Sequence, residues 1–235
     1  MNLIGLRLCE HDSNISYYDG NNFYYYKSER ILGVKHHAFD NLWEWKDVVY
    51  RLWNLKENEI ENYPYIPFKA LRLNHHYAHA LSTEIMYDNI KGHIIIDGYG
   101  DLNQAVTVIK NNKIVKKLSV NENGSLGQLY SGVANNHFQI YSSNHHDDAG
   151  KLMGLQSYGR IDNDFYQTLD GFTLENSKEL FDEKNFINFK QSEVLAGLEK
   201  LSWFATIHKR TGEMLVEYFK KYFKKNDSIG YSGGV

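Results

Sequence analysis

The sequence predicts an α/β protein with mixed sheets, helices and a duplicated architecture. Two segments share one order of elements: a strand, an acidic loop, a second strand, an Asn-containing turn and a third strand. The predicted strands are 3–9, 15–18 and 23–27 in the first segment, and 92–97, 105–110 and 113–120 in the second. The repeat concerns architecture and not residue identity. It predicts two similar lobes, 1–90 and 91–235, the second of them partial and carrying a helical insertion.

Turn residues support the predicted hairpins. In the first segment Asp19-Gly20-Asn21-Asn22 separates two apolar runs, and in the second Asn111-Asn112 does the same. Asp-Gly between apolar runs is a hairpin signal, because glycine accepts the positive φ that a tight turn requires.

Helices are predicted between and after the strands. Residues 40–54 place apolar side chains at helical spacing after Asp40, a candidate N-cap. A short strand at 70–74 leads into a helix at about 75–88. Further helices are predicted at 126–138, 193–204 and 206–225, and 162–192 is predicted to be irregular.

Composition and charge exclude several classes of protein. A net charge of -3 and a pI near 6.4 do not favour a nucleic-acid surface. No window approaches the roughly 18 apolar residues of a membrane span, and the first residues do not resemble a signal peptide. The single Cys9 fits a reducing compartment. We therefore expect a cytoplasmic protein with no nucleic-acid or membrane partner.

One stretch carries the spacing of a metal site. His75 and His79 are four residues apart, so on a helix they share one face and could hold one ion. Asp97 follows an apolar strand and begins a glycine-containing loop. Two imidazoles and one carboxylate suit a divalent transition metal. A polar helix face without a metal remains the alternative at this spacing.

Six motifs in order resemble one enzyme family. They are Glu10-His11-Asp12-Ser13, His75-His76-Tyr77-Ala78-His79-Ala80, Asp97-Gly98-Tyr99-Gly100-Asp101, Ser125-Leu126-Gly127-Gln128-Leu129-Tyr130, Gly150-Lys151-Leu152-Met153-Gly154-Leu155 and Ser232-Gly233-Gly234-Val235. The chain resembles the amino-terminal part of the O-carbamoyltransferases of the NodU, tobramycin and cephem type. The resemblance implies an ASKHA (actin/hexokinase-like) fold with duplicated RNase H-like lobes, akin to the tRNA threonylcarbamoyl transferases. It also implies a carboxy-terminal YrdC-like domain beyond Val235, without which we expect no carbamoyl-adenylate to be made by this chain.

The resemblance implies a two-step reaction. The YrdC-like domain or chain makes carbamoyl-adenylate from carbamoyl phosphate and ATP, and the ASKHA domain transfers the carbamoyl group to a hydroxyl of a small-molecule acceptor. These motifs do not specify the acceptor. The family's divalent metal, Fe²⁺, would be held by His75, His79 and Asp97, with a further aspartate ligand beyond Val235.

The resemblance also assigns roles to residues around that metal. His11 matches the position of the catalytic base. The residues expected to bind nucleotide or carbamoyl-adenylate are Asp12, Gly98, Gly100, Asp101, Lys151, Gly233 and Gly234. The glycines would let backbone amides approach phosphate or adenine. Lys151 is equally well explained as a lysine that covers a lobe junction.

Two other functions remain open on the sequence. A sugar-kinase-like ASKHA phosphotransferase would use Asp12 or Asp101 as base together with Mg²⁺, but it leaves the histidine pair unexplained. A non-catalytic metal- or nucleotide-binding half of a split enzyme would need a partner chain.

Overall fold

The structure, a computed structural model, describes residues 3–7, 12–39, 44–56, 73–84, 87–142, 146–181 and 198–234. These residues form a mixed α/β structure with two sheets, which confirms the predicted class at that level. The chain divides into two units, Met1–Arg72 and Leu73–Val235, each with its own sheet.

The first unit is built on an antiparallel sheet of three strands in the order β1-β2-β3. They are β1 (Leu3–Arg7), β2 (Asn14–Tyr18) and β3 (Phe23–Lys27). In the turn between β2 and β3, Asp19 Oδ1 accepts hydrogen bonds from the backbone N–H groups of Asn22 (2.7 Å) and Asn21 (2.8 Å). These bonds lower the pKa of Asp19 to about 2. Gly20 takes a φ of 103°, so the predicted hairpin is confirmed.

The core of the first unit lies between this sheet and one helix. The helices are α1 (Ser28–Leu32) and α2 (Glu44–Trp53). Trp45 and Val49 lie one turn apart on α2, and both pack with Ile15 and Tyr26 of the sheet. Burial of these side chains stabilises the unit by removing apolar surface from water. Residues 40–43 of the predicted helix lie outside the described residues.

The second unit contains a four-stranded sheet in the order β6-β5-β4-β7. The strands are β4 (Gly92–Ile96), β5 (Gln104–Lys110), β6 (Lys113–Ser119) and β7 (Ile229–Ser232). β4 pairs with β5 antiparallel and with β7 parallel. The described helices of this unit are α3 (His75–Glu84), α4 (Val120–Asn123), α5 (Leu126–Phe138), α6 (His146–Leu155), α7 (Asn163–Thr168) and α8 (Leu198–Tyr222). Short 3-10 segments lie at Asp101–Asn103, Gln156–Tyr158 and Leu174–Phe181.

Alternation along β4 separates two environments. Ile94 and Ile96 belong to the large core that also contains buried residues of α5 and α8. Ile95 belongs to a smaller cluster with Ala80 of α3. Because successive side chains of a strand point to opposite faces, the odd-numbered residues of β4 face α3. Asp97 follows on the same side.

The structure differs from the sequence-based boundaries in four places. The helix that carries His75 packs with the second sheet and falls in the second unit, although the boundary was placed at residue 90. The break predicted near residue 205 is wrong, because α8 continues through the buried Ala205. The irregular segment predicted at 162–192 contains α7, whose N-cap is Asp162. Of the predicted strand at 70–74, residues 70–72 lie outside the described residues, and 73–74 are not in a strand.

Arg210 fixes α8 to the loop that follows α7. Its side chain is 8% exposed and donates to the carbonyl oxygens of Leu169 (3.3 Å) and Phe172 (2.9 Å) and to Glu217 (2.9 Å). A buried arginine is stable only when its N–H groups are bonded in this way. The loop carbonyls in turn depend on Arg210.

Replacing Arg210 with Met should destabilise the protein by about 2–4 kcal/mol, because the substitution leaves buried carbonyls and a carboxylate without their donor. Urea unfolding followed by circular dichroism would measure this. The control is Lys220→Met, an exposed position on the same helix, which should stay within about 0.5 kcal/mol of the wild type. Equal stability of the two variants would contradict the assigned role.

Candidate metal centre

The first turn of α3 is held by two polar side chains outside the helix. Asn74 Oδ1 accepts a hydrogen bond from Tyr77 N at 3.2 Å, as an N-cap residue does. Asp101 Oδ2 accepts one from His75 N at 2.8 Å. A carboxylate at a helix N-terminus is also favoured by the helix dipole. Asp101, predicted as a nucleotide contact, therefore positions His75 in this structure.

Three ligand atoms converge where α3 begins and β4 ends. His75 Nε2 lies 2.5 Å from Asp97 Oδ2 and 3.1 Å from His79 Nε2, and His79 Nε2 lies 3.6 Å from the same carboxylate oxygen. The other carboxylate oxygen, Asp97 Oδ1, accepts a hydrogen bond from Gly98 N at 2.7 Å. The structure thus brings together the three residues predicted as metal ligands.

The charge state of Asp97 is set by opposing effects. Burial by itself would raise its pKa, but hydrogen bonds and positive charge from His75 and His79 hold it well below its usual range. Asp97 is therefore ionised across the physiological pH range. A fixed negative charge beside two imidazoles favours a cation at this position.

The donor set fits a divalent transition metal. Atoms bonded to one ion at about 2.1 Å, with octahedral or tetrahedral angles, lie roughly 3.0–3.4 Å apart. The three observed separations, 2.5, 3.1 and 3.6 Å, bracket that range, so small side-chain rotations would suffice. Two imidazole nitrogens and one carboxylate oxygen suit iron, zinc or similar ions.

His76 has a different role from its two neighbours on α3. Its side chain is fully buried, and its Nδ1 lies 2.7 Å from Thr107 Oγ1 on β5. Burial lowers its pKa to about 4, so the imidazole is neutral at pH 7. His76 thus links α3 to the sheet. Thr107 was not identified from the sequence, because it lies 31 residues from His76 and no local pattern pairs the two.

The end of β7 lies against the same centre. Ser232 Oγ donates to the carbonyl oxygen of His79 at 3.1 Å. A Cβ on Gly234 would lie 3.0 Å from Asp97 Oδ1, and one on Gly233 would lie 1.8 Å from the Ile96 carbonyl oxygen. Gly233 and Gly234, predicted to bind nucleotide, therefore adjoin Asp97, a candidate metal ligand.

Three predicted residues remain: Lys151, Asp12 and His11. Lys151 Nζ donates to Ser142 Oγ at 2.6 Å. Asp12 belongs to the first unit, where its carboxylate contacts Lys27 and His36. His11, the predicted base, lies outside the described residues.

Asp12, Glu29 and His36 form a second group with the donor types of a metal site. Lys27 Nζ contacts Glu29 Oε1 at 2.8 Å and Asp12 Oδ1 at 3.4 Å. The carboxyl groups therefore already have a cation, and an ion pair explains this group.

No family model matches this chain, and no curated protein matches it. The resemblance to the O-carbamoyltransferases therefore depends on the six sequence motifs. In the described ranges, no helix has the length and apolar character needed to span a bilayer.

Two glycines of the loop after Asp97 provide a matched test of the packing at His76. A Cβ on Gly100 would lie 2.4 Å from His76 Nε2, whereas the nearest atom to a Cβ on Gly98 is 3.9 Å away. Gly100→Ala should destabilise the protein by about 1–3 kcal/mol through overpacking. Gly98→Ala should be nearly neutral. Thermal unfolding of both variants would measure this, and equal loss in both would contradict the assigned packing.

Proposed function

We propose that this chain is the metal-binding, ASKHA-type part of an O-carbamoyltransferase. The observation that carries the proposal is the convergence of His75 Nε2, His79 Nε2 and Asp97 Oδ2 within 3.6 Å of one another. The motif order supports the family. Each unit contains three consecutive strands in two antiparallel pairs, β1-β2-β3 and β4-β5-β6, as a duplicated ASKHA architecture would.

The proposed reaction joins an alcohol to a carbamoyl group. The acceptor oxygen forms a bond to the carbamoyl carbon, the bond from that carbon to the adenylate phosphate oxygen breaks, and AMP leaves. The hydroxyl proton passes to a base, a role that we assign to His11. A divalent ion held by His75, His79 and Asp97 would supply positive charge for the oxygens that gain negative charge.

The protein's own groups would hold this arrangement in place. His75, His79 and Asp97 would bind the ion, and Fe²⁺ is the ion that the family resemblance favours. Asp101 holds His75 through its backbone N–H. Asp12, Lys151, Gly233 and Gly234 remain proposed contacts for carbamoyl-adenylate, whereas the amides of Gly98 and Gly100 already donate to Asp97 Oδ1 and to the Gln104 carbonyl oxygen. ATP and carbamoyl phosphate would be the co-substrates, and a YrdC-like domain or chain the partner.

The geometry gives less support to a sugar-kinase-like reaction. A sugar-kinase-like reaction needs Asp12 or Asp101 as the base. Asp101 accepts a hydrogen bond from His75 N, and Asp12 contacts Lys27 and His36. Both carboxylates thus already have partners in this structure. The histidine pair has no role in that chemistry.

Metal binding is the direct test of the candidate centre. Anaerobically purified wild-type protein should bind Fe²⁺ at one ion per chain, measured by elemental analysis after desalting. His79→Ala and Asp97→Ala should bind more than about 100-fold more weakly, because even residues that only support metal ligands typically contribute about 10–100-fold. The control is His208→Ala, a histidine on α8 that contacts Tyr130. Unchanged metal content in all variants would refute the centre.

The transfer reaction can be tested with the partner supplied separately. The protein is incubated with Fe²⁺, ATP, carbamoyl phosphate, a YrdC-like protein and a panel of hydroxyl compounds, and products are identified by mass spectrometry. We expect a carbamoylated acceptor and AMP, both lost in Asp97→Ala. A phosphorylated acceptor and ADP would instead support the kinase. Metal binding with neither product would favour a non-catalytic module.

A further inference from the structure

α3 and β4 run antiparallel, and their contacts form an ordered series. Asp97 faces His75 and His79 at one end. Ile95 packs with Ala80 in the middle. At the far end, His93 contacts Thr83 and Glu84. The nine-residue rise along the helix is about 13.5 Å, and the four-residue rise along the strand is about 13 Å. The two elements therefore match in length between the metal ligands and His93.

His93 is bonded through both ring nitrogens. Its side chain is 3% exposed, and Nδ1 lies 2.9 Å from Thr83 Oγ1, while Nε2 lies 3.0 Å from Glu84 Oε1. The Thr83 hydroxyl also lies 2.8 Å from the Ala80 carbonyl oxygen. An ionised carboxylate only accepts hydrogen bonds. His93 Nε2 therefore donates to Glu84, and that bond is charge-assisted.

β7 closes this contact from the other side. Gly230 pairs with His93 in the parallel register. A Cβ on Gly230 would lie 2.4 Å from both His93 Nδ1 and Thr83 Oγ1. Three elements, α3, β4 and β7, thus meet at one histidine. β7 also carries Ser232, which bonds the carbonyl of His79.

Apolar packing alone leaves the position of α3 weakly defined. Within the described residues, the cluster between α3 and the sheet consists of Ala80, Ile95 and Ile109, with Tyr77 partly buried against it. A small alanine side chain resists sliding and rotation poorly. Polar contacts at the two ends of the helix add the resistance to sliding and rotation that this small apolar cluster lacks.

We propose that His93 is a positioning residue for the metal centre. Its bonds to Thr83 and Glu84 fix the register and rotation of α3 on β4, and so set the separation of His75 and His79 from Asp97. The effect of His93 on metal binding rests on the proposed metal centre. The contact of His93 with Thr83 and Glu84 does not depend on a metal. His93 touches neither the ion nor a substrate, and it acts through the helix.

The test compares His93→Leu, Thr83→Val and Gly230→Ala with two controls on α8. His208→Leu is matched to His93→Leu, because His208 is half-buried and its Nδ1 lies 2.7 Å from the Tyr130 hydroxyl. Thr211→Val is matched to Thr83→Val, because Thr211 is a helix threonine that bonds a carbonyl of its own helix. His93→Gln keeps one donor and should restore part of the effect.

The first readout is hydrogen exchange in metal-free protein. Amides of α3 should exchange about tenfold faster or more in the three variants, relative to the amides of Val106 and Val108 on β5, which report global unfolding. The controls should change α3 and β5 together. The proposal would be overturned if the exchange rate of the α3 amides in His93→Leu rose only as much as that of the β5 amides, as we expect for His208→Leu.

The second readout is Co²⁺ affinity and the visible Co²⁺ spectrum. We expect about a tenfold weaker affinity and an altered spectrum in His93→Leu, with the ligands themselves intact. The same affinity and spectrum in His93→Leu and His208→Leu would overturn the positioning role. If wild-type protein binds no Co²⁺ or Fe²⁺, the proposed metal centre fails, and hydrogen exchange still decides whether His93 holds α3.

Discussion

The contact between α3 and the odd-numbered side of β4 determines where the ligand atoms of the candidate metal centre lie. β4 cannot slip by one residue, because that shift would turn Ile94 and Ile96 away from the large core and Asp97 into it. The apolar core on one side of the sheet thereby fixes the carboxylate on the other. Once Asp97 is placed, the position of α3 decides whether two imidazoles meet it.

α3 depends on its surroundings for its own stability. Its sequence, HHYAHALSTE, contains several residues of modest helix propensity, and ten residues are too few for a stable isolated helix in water. Asn74 and Asp101 satisfy amides of its first turn. His76 bonds Thr107 on β5, and His93 bonds the last turn. The helix that presents the ligands is therefore held at both ends by residues of the sheet and its loops.

Patterns within single segments predicted much of this structure. Apolar runs and Asn or Asp-Gly turns predicted strands β1 to β6, and the spacing of His75 and His79 predicted their shared face. The contacts that hold the centre together could not be predicted in the same way. The pairing of β7 with β4 joins residues more than a hundred positions apart, and no local pattern encodes it. The same holds for the contact of Thr107 with His76. The side of the sheet on which His93 lies could have been predicted, because His93 alternates along one strand with Ile95 and Asp97.

The glycines after Asp97 are better explained by packing than by phosphate binding. The N–H of Gly98 donates to Asp97 Oδ1, and the N–H of Gly100 donates to the Gln104 carbonyl oxygen at 2.8 Å. Gly100 also leaves the space that the His76 ring occupies. These two amides are thus already used to orient the ligand carboxylate and to close the loop. The phosphate of the proposed carbamoyl-adenylate would therefore depend on the ion and on groups outside this loop, and Gly233 and Gly234, next to Asp97, are better placed to adjoin it.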